Sequence, residues 1–525
     1  MLDRENLLPN AVAKWASDTP QAVALEIVDG RRLTYAELHE TGLRWAAALE
    51  RVGIGRGHHV ATMVDPELTA HFAMLGIGWV GAVEIPLNTA YQGAMLQYVL
   101  DLTDAATIVC SPQFVGRIAD VAADLSALET VVVVDADAPG DAFACRVVGG
   151  GEFLAGVEPA TGLPGPEYHE INTLLLTSGT TGPSKAVIVP WGGTFQMASW
   201  LPPDASSAGE GMFSAFPMFH NSGRSVFNMC MARGGRYVTR AKFSGTTFWD
   251  DVRTTNCVYA AIIGPMTHLL YSAPPRADDA DNPLRAIGLG PMIPEIDDFE
   301  ARFGVRTVTC YGQTEIGAAV ATGWDHGPWA GCGRPRTDYP WTEVEIVNDL
   351  DEPVPTGQVG ELVVRSREPW SLNVGYYKMP EATAEAWRNG WFHTGDAFRR
   401  DEEGWFYFVD RMRDTIRRRG ENISSFEVEN AVMEFPGVIE CTAVGIRTEL
   451  GDDEVFAGVI VRDSAAFAPE ALIDFLTPRM PAFMVPRYVE VMDDFPRVET
   501  SGRVRKHELR ARGISPSTWD RQAVS

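Results

Sequence analysis

Lysine is scarce in this 525-residue chain: of its 44 basic residues only five are lysines, Lys14, Lys185, Lys242, Lys378 and Lys506. Basic residues are also outnumbered as a class by 70 Asp and Glu, which leaves a formal net charge of −26. That balance excludes a nucleic-acid surface, because phosphate binding needs clustered Lys and Arg to release counterions. A bound nucleotide would need its own local positive site. Cysteine is sparse too, with seven scattered residues and no C-x-x-C pair, so neither a disulfide framework nor a zinc cluster is expected. Reduced thiols in the cytoplasm are the expectation. Uncharged apolar runs long enough to span a bilayer are missing, and the opening MLDRENLLPN lacks a basic stretch followed by an apolar core, so neither a membrane span nor a secretory signal is expected. Internal repeats and low-complexity tracts are missing as well.

What is present is ordinary globular material, 45% hydrophobic and 10% aromatic, enough for a large core in two or more domains. From residue 21 to 175, helix-like stretches (Tyr35 to Val52, Thr69 to Val80) alternate with short apolar runs such as VATMV, TIVC and TVVVV. This is the pattern of βαβ units around a mostly parallel sheet, hence a doubly wound α/β class. Similar alternation returns from Gly211 to about Thr309, whereas residues 340 to 410 are strand-rich and punctuated by Gly and Pro, the pattern of a small β-rich subdomain. After Asp410 a basic run, RMRDTIRRRGEN, precedes a helix near Ser425, two strands and a helix from Pro469. A compact α+β domain behind a linker is expected.

The strongest local signal is LLLTSGTTGPSK, Leu174 to Lys185, an apolar strand entering a loop of small and hydroxyl-bearing residues that closes on a lysine. Glycines let backbone N–H groups approach phosphate oxygens, hydroxyls add donors, and the ammonium adds point charge. The chain has no Gly-Lys dipeptide, so this is a phosphate loop of a kind other than Walker A. A flexible surface loop would explain the same composition, but the strand leading in and the rare lysine at its end favour the phosphate.

The loop, read as TSGTTGPSK, resembles the TSGTTGxPK signature of the adenylate-forming superfamily of acyl-CoA synthetases, adenylation domains and beetle luciferase. YGQTE (Tyr311, Gly312, Gln313, Thr314, Glu315), HTGD ending at Asp396, and DRMRD (Asp410 to Asp414) follow in that superfamily's order. The resemblance implies a large N-terminal domain, residues 1 to 412, and a small mobile C-terminal domain, residues 413 to 525. It assigns nucleotide binding to Thr177, Ser178, Gly179, Thr180, Thr181, Gly182, Gly290, Pro291, Tyr311, Gly312, Gln313, Thr314, Asp396 and Arg411. Thr314 would meet the phosphate, Asp396 the ribose hydroxyls, and Thr177 and Glu315 a magnesium ion, while Lys185 would offset phosphate charge. Arg413 would be the pivot of the small domain. FPMFHNSG supplies His220 at the border of an acid pocket, and GLGPM places Gly290 and Pro291 between adenine and acid. The flanking motifs look most like the carnitine and crotonobetaine CoA ligase branch.

The resemblance therefore implies a ligase that uses ATP, Mg2+ and CoA to convert a small-molecule carboxylic acid to its acyl-adenylate and then its thioester, and it leaves a homodimer open. Asn221 and Arg224 would add polarity to the acid pocket. A stand-alone adenylation enzyme with another acceptor and a nucleotide-binding pseudoenzyme are the alternatives. The superfamily's C-terminal lysine, in PxTxxGK, is replaced here by Arg503 in PRVETSGR, with Arg505 and Lys506 nearby. Arginine keeps the charge with a different fork geometry, so Arg503 is expected to serve as the electrostatic clamp of the first step. Arg503→Ala should then cost adenylation about 2–4 kcal/mol and leave thioester formation from a supplied acyl-adenylate nearly unchanged. Separate measurement of pyrophosphate release and thioester formation checks this.

Overall fold

The computed structural model describes residues 2–523 except 138–141, 178–183, 412–414, 419–420, 449–451, 465–466, 497–503 and 505, with the backbone alone at a few further positions that include Arg411. Its contacts divide into two compact units. The larger comprises Met1–Thr89, Leu100–Leu176 and Ala186–Asp410; the smaller comprises Arg411–Ser525 with the short segments Ala90–Val99 and Thr177–Lys185.

The apolar runs of the first half become parallel strands. Val83–Pro86, Thr107–Cys110 and Thr130–Val133 are buried at every residue, as strands covered on both faces must be. They belong to an eight-stranded sheet in which His59–Met63 pairs in parallel with both Val83–Pro86 and Thr107–Cys110. A seven-stranded sheet carries, in order, Arg306–Val308, Ala286–Gly290, Cys257–Ile263, Gly211–Ser214, Arg236–Thr239, Val23–Ile27 and Arg32–Thr34, parallel except at the last pair.

Helices fill the space beside these sheets. Tyr35–Arg51 starts on a capping box in which the Thr34 hydroxyl accepts from the Glu37 N–H while the Glu37 carboxylate accepts from the Thr34 N–H. Its Trp45 packs on Thr69–Val80, a helix buried almost all round. The two approach closely because of Gly76, where an added Cβ would lie 2.5 Å from the Trp45 Cβ.

The β-rich part of the larger unit begins earlier than its composition suggests. Cys310–Gln313, Gly317–Ala321 and Gly331–Pro335 join Phe406–Arg411, Phe392–Arg400, Gly360–Ser366 and Thr342–Val347 in one seven-stranded antiparallel sheet. Strands of four or five residues rich in Gly and Ala carry little periodic signal, and only long-range pairing reveals them.

In the smaller unit, Val438–Arg447 pairs antiparallel with Asp453–Val461, which pairs in parallel with Tyr488–Val491. Helices Ser425–Met433 and Pro469–Leu476 cover this sheet through Val428, Val432, Leu472 and Leu476. Among the described residues no helix is long and apolar enough to cross a membrane.

Gly76→Ala is expected to destabilise the larger unit by about 1–3 kcal/mol, since the new methyl meets a fully packed helix contact. Urea unfolding of the variant beside the parent measures it.

Candidate active site

Four neighbouring strands, Gly211–Ser214, Cys257–Ile263, Ala286–Gly290 and Arg306–Val308, run parallel and side by side. Their carboxyl ends therefore face the same way, and the segments that follow gather along one edge of the sheet, where open α/β sheets bind ligands. Those segments are FPMFHNSG, GPM at Gly264, PMI at Pro291, and TCYGQTE. Ile263 is opposite Gly290 in the register, and the Gly290–Pro291 peptide is cis.

The YGQTE segment is a strand and a turn. Cys310–Gln313 pairs with Gly317–Ala321, with an irregularity between Tyr311 and Gly312 that leaves Thr314 and Glu315 in the connection. Gly312 packs so close to the Gly317 carbonyl that any side chain there would collide with it. On this pair the Tyr311 hydroxyl donates to Asp396 Oδ2 at 2.7 Å, and Gln313 Nε2 donates to the same oxygen at 3.0 Å and to the Thr394 carbonyl at 3.1 Å. Asp396 sits in the Phe392–Arg400 strand and is 4% exposed. The Thr394 hydroxyl donates to the Leu362 carbonyl at 2.7 Å, and the Gly395 N–H donates to Glu361 at 2.9 Å. The carboxylate assigned to ribose is thus gripped on one oxygen by two side chains of the assigned nucleotide motif.

Glu315 is held from residues that sequence reasoning missed. Its carbonyl accepts from the Asn373 N–H at 2.9 Å and from Asn373 Nδ2 at 2.7 Å, and Trp387 Nε1 donates to Asn373 Oδ1 at 3.2 Å. The Tyr376 hydroxyl donates to Glu315 Oε1 at 3.2 Å. Burial, then the nearby Glu315 charge, pushes the Tyr376 hydroxyl far above its usual range, so it stays a donor. A second missed residue, Gln196, is fully buried in the Trp191–Ala198 helix and exchanges two hydrogen bonds of 2.9 Å with the Ala318 backbone, one from Nε2 and one to Oε1. A lone amide in the apolar helix WGGTFQMA was the one signal available for it.

His220 is the N-cap of the Asn221–Ala232 helix, its ring 4.7 Å from that of Phe219. Gly223 is pressed against the carbonyls of Phe216 and Pro217, which explains the glycine in FHNSG. Arg224 departs from expectation. It is 1% exposed and its guanidinium meets Glu84 at 2.8 Å, so its charge is already answered.

In the smaller unit, Thr177 ends the Ile171–Thr177 strand and Lys185 opens Lys185–Pro190. Ser178, Gly179, Thr180, Thr181, Gly182 and Pro183 between them lie outside the described residues, as do Arg413 and Arg503, and the Arg411 side chain is likewise not described. Ser184 donates from its N–H at 3.0 Å and its hydroxyl at 2.8 Å to Glu427 Oε1, and its carbonyl accepts from Tyr98 at 3.1 Å. Burial raises the Glu427 carboxyl, against the hydrogen bonds from Ser184. Lys506 is committed within this unit, donating to the Ser425 hydroxyl at 2.7 Å and pairing with Glu429 at 2.6 Å, whose carboxylate also accepts from the Ala443 N–H.

Among the described residues no three or more His, Cys, Asp or Glu converge as a metal cage. Glu315 fits instead the manner of Mg2+, which is held by one or two carboxylates together with substrate phosphates.

A buried aspartate held by Tyr311 and Gln313, and a glutamate supported by Asn373 and Tyr376, stand in the antiparallel sheet that follows the parallel one, within an α/β fold. The chain belongs to the AMP-binding enzyme family, whose profile it matches over residues 12–377, with that of the AMP-binding enzyme C-terminal domain over residues 427–502. It is 30% identical over 507 residues to the crotonobetaine/carnitine–CoA ligase of Salmonella typhimurium, covering 93% of this chain and 95% of that one. The ligase of the same name from Escherichia coli O1:K1 is 31% identical over 495 residues, covering 91% and 93%. Among solved structures, the amide bond synthetase McbA from Marinactinospora thermotolerans superposes with a TM-score of 0.82 at 25% identity, covering 95% of this chain and 99% of that one. The o-succinylbenzoate CoA synthetase MenE from Bacillus subtilis shares the fold, with a TM-score of 0.83 at 21% identity and coverage of 96% and 99%.

Because Lys506 and Glu429 are both largely buried, Lys506→Ala should lower stability by about 1–3 kcal/mol, the cost of leaving a buried acceptor without its partner. Denaturant unfolding followed by tryptophan fluorescence checks it.

Proposed function

We propose that the protein is an ATP- and magnesium-dependent carboxylic acid:CoA ligase that forms an acyl-adenylate with release of pyrophosphate and then transfers the acyl group to CoA with release of AMP. The observation that carries this reading is the grip of Tyr311 and Gln313 on Asp396, in the same turn that presents Thr314 and Glu315. Its supports are the family and the full-length likeness to CoA ligases.

On this reading Asp396 accepts from the ribose hydroxyls with its remaining acceptor capacity, while Tyr311 and Gln313 hold it in place. Thr314 and the 177–185 loop meet the phosphates, and Lys185 offsets their charge. Glu315, oriented by Tyr376 and Asn373, holds the metal. Magnesium, when bound, would neutralise charge on the triphosphate. His220 borders the acid, whose carboxylate attacks the α-phosphorus once the two are aligned. AMP is then displaced by the CoA thiolate. Free thiols throughout suit action in the reducing cytoplasm.

A second reading follows from the likeness to an amide bond synthetase: the same adenylate passed to an amine. CoA dependence of AMP release, measured beside a panel of amines, separates the two.

Lys185→Ala and Glu315→Ala should each reduce acid-dependent pyrophosphate release by roughly 100- to 1,000-fold with the fold intact, and chelation of magnesium should abolish it in the parent. Near-normal rates in both variants would remove the site assignment.

A further inference from the structure

One helical turn after His220 stands one half of a charged pair whose partners are far apart in the chain. Glu84 belongs to the Val83–Pro86 strand and Arg224 to the first turn of the Asn221–Ala232 helix; they are 3% and 1% exposed, and their charged groups meet at 2.8 Å. The other carboxylate oxygen accepts from the Thr62 hydroxyl at 2.9 Å, and the Glu84 carbonyl accepts from the Thr173 hydroxyl at 2.8 Å. Burial, with a further contribution from Arg224, lowers nearby His71 to about 4, so this histidine is neutral at physiological pH and adds nothing to the charge balance. Buried pairs of this kind give little net stability over apolar residues of equal volume, so stability alone does not account for it.

Two placements tie the pair to the acid. Arg224 lies one helical turn after His220, its N–H donating to the His220 carbonyl at 3.2 Å. Glu84 and Thr62 line a cavity of about 20 Å³ that is also lined by Met218 and Phe219, the residues just before His220. That volume holds about one water.

We propose that the Glu84–Arg224 pair is the charge selector of the acid site: each charge cancels the other, so the wall beneath His220 favours acids whose tail is uncharged at that depth. This rests on the acid-activating reading above. Left without Glu84, the guanidinium fork would recruit a second carboxylate on the acid. Left without Arg224, the buried carboxylate would recruit a cationic tail.

The test compares acid-dependent pyrophosphate release across length-matched monocarboxylic, dicarboxylic and trimethylammonium-tailed acids. In Glu84→Gln, kcat/KM for dicarboxylic relative to monocarboxylic acids should rise about tenfold or more, with KM for ATP unchanged. In Arg224→Met the trimethylammonium-tailed acids should gain by a similar factor, and the double variant should return to the parent's order of preference. If Glu84→Gln does not fold, Glu84→Asp, which keeps the charge but withdraws it by one methylene, should move the dicarboxylic ratio in the same direction by a smaller factor. A purely structural pair would change unfolding and leave these ratios alone. Unchanged or reversed ratios in an active parent's variants overturn the selector and leave the ligase reading standing, whereas a parent that activates no acid overturns both.

Discussion

The parallel pairing of four strands, from Gly211–Ser214 to Arg306–Val308, is the constraint on which the candidate site depends. Parallel strands need a crossover after each one, so their carboxyl ends all open on the same edge. FPMFHNSG, GPM, PMI and TCYGQTE are widely spaced in the chain, and the sheet register alone makes them neighbours.

In the antiparallel sheet that takes up the last of these segments, the polar groups are tied down before any ligand arrives. Asp396 has one oxygen held by Tyr311 and Gln313, and Glu315 is held through both its carbonyl and its carboxylate by Asn373 and Tyr376. Preorganised donors and acceptors act more strongly in a partly dry site than in water, because no reorganisation is needed when charge develops. Gln196 extends the same logic one layer further out, clamping the strand that follows the glutamate.

The smaller unit shows how scarce lysine is used. Lys506, one of five lysines, bridges the helix it opens to the helix bearing Ser425 and Glu429, a local role. Withdrawing Lys506 would strand Glu429 in a largely buried position.

The sequence by itself determined the α/β class and the motifs. Fully buried strands read as unbroken apolar runs, amphipathic and capped helices read at their own period, and a phosphate loop needs glycines and hydroxyls next to one another in the chain. Lys185 was legible through the loop it closes, whereas Tyr311 to Glu315, His220 and Asp396 became candidates through the resemblance of their motifs to the adenylate-forming superfamily. Only the tertiary structure decided which of them meet. Tyr311 and Asp396 are 85 residues apart, Glu315 and Tyr376 61, and Gln196 and Ala318 122. Hydrogen bonds across such separations leave no periodic trace, because they are made by sheet register and helix packing. Arg224 shows the limit most sharply: beside His220 in sequence it reads as a polar contributor to the pocket, and its partner on a distant strand turns the same guanidinium into half of a neutral pair.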